Sequence, residues 1–124
     1  MSERERSKQA ESVPEGRRRV EQELLGGVLD FDREIGRLEA LGDETRFTIL
    51  YLTAAKDGVK SGELADLLDR HQQDLYFHLN KLESAGLVGK QRADDGTRLY
   101  ELTPLAEQFV PSLFESIRDR AEAV

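Results

Sequence analysis

The 124-residue chain has no cysteine and no tryptophan, one methionine and three prolines. The missing thiols exclude disulfides, thiolate metal sites and cysteine redox switching, and they leave the compartment undetermined by that route. No apolar run is long enough to span a bilayer and no signal-peptide pattern is present, so one soluble, cytoplasmic domain with no membrane association is expected. The parts of an enzyme are missing too. There is no glycine-rich phosphate loop, no nucleophile elbow and no His–carboxylate–nucleophile set, so no catalytic role is assigned. Histidine is confined to His71 and His78, about 10 Å apart by helical rise, too far to chelate one ion as an i, i+4 pair can. No metal or other cofactor is expected, and nothing in the sequence names a small-molecule effector.

Lysine is also scarce, arginine far outnumbering it, and the net charge is −7. Abundant Asp and Glu with little Lys resembles the surface of a protein from a salt-loaded cytoplasm, such as that of a halophilic archaeon, where self-repulsion is screened. The acidic excess is unevenly spread. Lys60, Arg70, Lys81, Lys90 and Arg92 balance Glu63, Asp66, Asp69, Asp74 and Glu83, so residues 60–92 are neutral and the excess lies in the flanking segments.

That neutral stretch organises the chain. In Ser61 to Val88, SGELADLLDRHQQDLYFHLNKLESAGLV, Ser61 is expected to cap a helix carrying Leu64, Leu67 and Leu68 at helical spacing, and Asp69-Arg70 breaks it. Gln72 begins a second helix in which Leu75, Leu79 and Leu82 recur, ended by Ala85-Gly86 with glycine at the left-handed C-cap. The two form a helix-turn-helix. At about 100° per residue, Gln73, Phe77, Asn80, Lys81 and Ser84 fall opposite the leucine stripe. Such a face is either plainly solvated or able to read base edges, Gln and Asn pairing with adenine in particular.

The flanks follow. Residues 1–19 form a charged tail expected to be disordered, and its Arg17-Arg18-Arg19 run is read as solvated in preference to a DNA arm. Residues 20–124 form the folded domain. A helical turn at Val20 to Leu25 ends at Gly26-Gly27, and Val28, Phe31, Ile35, Leu38 and Leu41 keep helical spacing up to Gly42. Asp43 caps the next, most buried helix, which Lys56-Asp57-Gly58 closes. After Gly86 the period becomes extended. Leu87 to Arg92 and Arg98 to Leu102 are strand-like runs around an Asp-Gly turn, a hairpin or wing in which Lys90, Arg92 and Arg98 suit backbone phosphate or the minor groove, partly offset by Asp94 and Asp95. Thr103 with Pro104 caps a last helix bearing Leu105, Phe109, Leu113 and Ile117, which Pro111 should kink or split. The fold class is mainly α with a small β-hairpin: a winged helix-turn-helix. Because neither terminal helix can bury its stripe in so small a domain, a homodimer through those helices is expected.

The run LGDETRFTIL, then GELADLL, then FHLNKLESAGLV, then a hairpin ending in RLYELT resembles the ArsR-type winged helix-turn-helix regulators over Leu41 to Thr103. The resemblance implies a homodimer on an inverted repeat of double-stranded DNA. It implies that Gln72, Gln73, Tyr76, Phe77 and His78 lie where family members touch DNA, with Asn80 and Lys81 on the same helix and Lys90, Arg92 and Arg98 in the wing. The chain departs from the pattern in lacking the cysteines, and the histidine on the last helix, that metal-sensing members use. His78 itself borders the core by spacing, and Tyr76 stands where a small hydroxyl residue is common. The alternative is a winged helix kept as a protein-interaction module, favoured by the negative charge and the adjacent aromatics Tyr76 and Phe77.

Overall fold

The computed structural model describes residues 13–124. They fall in two units, up to Ile35 and from Gly36 onward. The first unit is helical sooner than its charge suggests. Helix α1 (Glu15–Arg19) runs into one π-helical turn at Val20–Leu24, closed by Leu25 N–H donating to Val20 O at 3.0 Å. Residues 15–19 of the tail expected to be disordered are therefore helical, and that expectation for residues 1–12 lies outside the described residues. The arginine triplet is locally engaged. Arg17 stacks on the Phe31 ring at 4.3 Å and pairs with Asp32, Arg19 pairs with Glu23 at 3.0 Å, and Arg18 donates to Val13 O. Helix α2 (Phe31–Leu41) starts where Asp30 accepts from Arg33 N–H at 2.9 Å.

In the second unit the caps work as their chemistry requires. Asp43 accepts from Arg46 N–H at 3.0 Å to start α3 (Glu44–Lys56), and Asp57, left-handed at φ 53°, stops it. Ile49, Leu50 and Thr53 of α3 are buried, and the helix touches β1, β3, α5 and α6, so it occupies the centre. Helix α4 (Ser61–Leu68) is capped at Lys60, not Ser61. Glu63 accepts from the Lys60 backbone N–H at 3.2 Å, while Ser61 is buried inside the first turn. Leu64 fills the core, but Leu67, placed by its spacing on the same stripe, is 52% exposed. Helix α5 (Gln72–Ser84) buries Leu75, Leu79 and Leu82 completely.

A Schellman turn ends α5. Gly86 at φ +75° lets Leu87 N–H reach Leu82 O at 2.9 Å and its own N–H reach Glu83 O at 3.0 Å, a backbone that a side chain would strain. The hairpin β2 (Val88–Arg92) and β3 (Arg98–Leu102) follows, with Val88 opposite Leu102, Lys90 opposite Tyr100 and Arg92 opposite Arg98. A two-residue strand not foreseen from the sequence, β1 (Val59–Lys60), pairs with β3 to complete an antiparallel sheet of order β1-β3-β2. Two residues leave no readable period. Helix α6 (Pro104–Glu122) is capped by Thr103, whose hydroxyl accepts from Ala106 N–H at 3.1 Å and donates to Gly86 O at 2.6 Å. It runs through Pro111 without splitting.

Candidate nucleic-acid interface

Helix α5 presents three distinct edges. Gln73, Phe77, Asn80 and Lys81 are exposed along its outer face, Phe77 at 59%, with the Lys81 ammonium 5.1 Å from the Phe77 ring centroid. On one flank Gln72 turns back toward α4. Its Oε1 accepts from the Ser61 hydroxyl at 3.3 Å and the Tyr76 hydroxyl at 3.4 Å, so Gln72 joins the two helices of the motif.

On the other flank His78 turns inward. Its Nδ1 lies 3.1 Å from an Arg46 guanidinium nitrogen and 3.7 Å from the Asp43 carboxylate, and its side chain is 15% exposed. Burial lowers the pKa of His78 and the Arg46, Arg70 and Lys81 charges lower it further, against the opposing pull of Asp43. The neutral ring therefore accepts from Arg46, which also donates to Ala40 O at 2.7 Å. The spacing that set His78 beside the core is matched here, its ring lying against Arg46 of α3. Arg46 had no assigned role in the sequence, although it follows the Asp43 cap by one turn.

The cross-strand register sorts the wing. Val88 and Tyr100 are buried on one face of the sheet, and alternation sets Lys90, Arg92 and Arg98 on that same face, beyond the core and exposed. Arg98 carries its guanidinium to 5.3 Å from the centroid of the Tyr76 ring, so wing and α5 meet. At the tip, Asp95 accepts from Lys60 Nζ at 2.7 Å and from Thr97 through N–H at 3.0 Å and hydroxyl at 2.6 Å. These donors, Lys60 first, hold its carboxyl well below the usual range, and one of the two tip charges feared from the sequence is matched by a cation. Lys60 was counted in the sequence only as a charge, since nothing along the chain links it to a residue 35 positions away.

Among the described residues no three His, Asp or Glu side chains gather as metal ligands, and no helix is long and apolar enough to cross a membrane. What the elements form together is a winged helix-turn-helix: a mainly helical domain with a three-stranded wing packed behind its second helix. The family model described as a helix-turn-helix domain matches residues 41–90. No significant match was found among curated proteins. Solved structures are similar over most of the chain. NolR from Sinorhizobium fredii is 28% identical, with 68% of this chain and 83% of that one covered and a TM-score of 0.56. The transcriptional regulator HlyU from Vibrio vulnificus is 27% identical, with 69% and 88% covered and a TM-score of 0.58. A homodimeric winged helix-turn-helix DNA-binding domain from Mycobacterium bovis, 24% identical with 73% and 80% covered, shares the fold at a TM-score of 0.60.

Proposed function

We propose that the chain is an ArsR-type transcriptional regulator that binds an inverted-repeat DNA operator as a homodimer, with α5 in the major groove and the wing on the sugar-phosphate backbone. One observation carries the reading: the exposed Gln73, Phe77, Asn80 and Lys81 of α5 adjoin, through Arg98 over Tyr76, a wing face bearing Lys90 and Arg92. Amides and a ring suited to adenine and the thymine methyl are thereby combined with cations suited to phosphate. The likeness to the transcriptional regulator HlyU from Vibrio vulnificus supports it. Dimerisation rests on apolar side chains that α2 and α6 leave to solvent, Leu38 at 58% on α2, Leu105 and Ile117 at 37% each on α6.

A gel shift on the DNA upstream of the protein's own gene, repeated from dilute buffer to molar potassium chloride, tests the proposal. Retardation of that DNA over a scrambled duplex is the expected result, and equal behaviour of the two refutes it.

A further inference from the structure

The sequence treats Arg98 as one of three equivalent wing cations, but its surroundings set it apart. It lies directly opposite Arg92 in the hairpin register, and like charges facing each other across a strand pair repel. A second partner relieves that. The Arg98 guanidinium lies 5.3 Å from the Tyr76 ring centroid, within the range in which a planar cation gains from an aromatic face. Tyr76 is half-buried and its hydroxyl donates to Gln72, which accepts from Ser61, so the ring under Arg98 is held from the opposite side by α4. Arg98 also stands beside the hydroxyl of buried Tyr100, where it works against the rise that burial imposes on that group's pKa. One exposed arginine thus bridges the hairpin and α5, whose Tyr76 is tied through Gln72 to α4.

We propose that Arg98 is a positioning residue for sequence recognition: stacked on Tyr76, it fixes the angle between the wing and α5 and so sets which bases Gln73 and Phe77 can reach. This rests on the DNA-binding reading above. An ammonium at the same place would keep the charge and some attraction to the ring but lose the planar contact of the guanidinium. Lysine therefore separates positioning from phosphate contact. Tyr76→Phe separates the ring from its hydroxyl in the same way.

The test is a set of fluorescence anisotropy titrations at several salt concentrations, against the upstream DNA and a scrambled duplex. The proteins are the full-length wild type, Arg98→Lys, Arg92→Lys, Tyr76→Phe, Tyr76→Leu and the double variant Arg98→Lys/Tyr76→Leu. Arg98→Lys should lower the preference for the upstream DNA by roughly threefold to tenfold while leaving the salt slope unchanged. Arg92→Lys should lose less preference than Arg98→Lys, Tyr76→Phe less than Tyr76→Leu, and the double variant no more than Arg98→Lys alone. Thermal unfolding of Arg98→Lys at the wild-type temperature assigns the loss to recognition and not to folding. If Arg98→Lys discriminates as well as wild type, or its loss adds independently to that of Tyr76→Leu, Arg98 is an ordinary phosphate contact and the proposal is overturned. If wild type itself shows no preference for upstream DNA, the DNA-binding reading fails and takes this proposal with it.

Discussion

His78 and Gln73 lie five positions apart on α5 and have opposite environments. The neutral His78 ring accepts from Arg46, and its pKa lies below the ordinary 6.5, so the native state resists a proton that the unfolded chain takes up. The contribution of His78 is present above pH 6.5 and is lost as pH falls through the depressed native value. Urea unfolding from pH 8 to pH 5 should therefore show wild type weakening below about 6.5, with a flatter profile for His78→Gln across that window. Asp43, lowered first by the Arg46 N–H bond, acts in a separate and more acidic window, beneath 3.8. Gln73 is exposed and should act only on binding. Gln73→Ala should cost about 1 to 3 kcal/mol at the cognate site and narrow its advantage over scrambled DNA, as direct titration would show. Spacing alone separated these two residues, because 100° per residue sets His78 beside the leucines. The identity of its partner, Arg46, required the packing of α3 on α5, which no local pattern encodes.

Elements were legible wherever a cap or a strong period marked them. Asp43, Thr103 and Gly86 each sit where their chemistry is used, and the Asp-Gly turn of the hairpin lies between strands within one residue of the expected bounds. The misplaced features have physical reasons. Val59–Lys60 is too short to show alternation, and the cap of α4 moved to Lys60 because Ser61 is buried against Gln72. Pro111 is carried within α6 because its ring fixes a helical φ and it forgoes a single backbone bond. Thr103 ties two element ends at once, the C-terminus of α5 through Gly86 O and the N-terminus of α6 through Ala106 N–H. Thr103→Ala should lower stability by about 1 to 2 kcal/mol in a denaturant titration. Leu79→Ala, which truncates a fully buried side chain on the core face of α5, should cost about 2 to 5 kcal/mol.

At the scale of the whole molecule, a net charge of −7 opposes approach to DNA, and the neutral stretch with its basic wing is the part proposed to meet the phosphates. If the acidic excess is an adaptation to salt, the melting temperature should rise between dilute buffer and molar potassium chloride, and a flat response would remove that explanation. The apolar side chains left exposed on α2 and α6 call for a partner surface, so sedimentation in molar potassium chloride should give a dimer at micromolar protein. The account's central claim is that the outer face of α5 reads bases. Its most direct test is a titration of wild type, Gln73→Ala and Phe77→Ala against upstream and scrambled DNA at matched salt. Both variants should lose affinity for the upstream DNA and retain wild-type affinity for the scrambled one. Cognate binding left intact by both substitutions, together with loss of a co-purifying protein from Phe77→Ala, would contradict the claim and make this face a protein-docking surface.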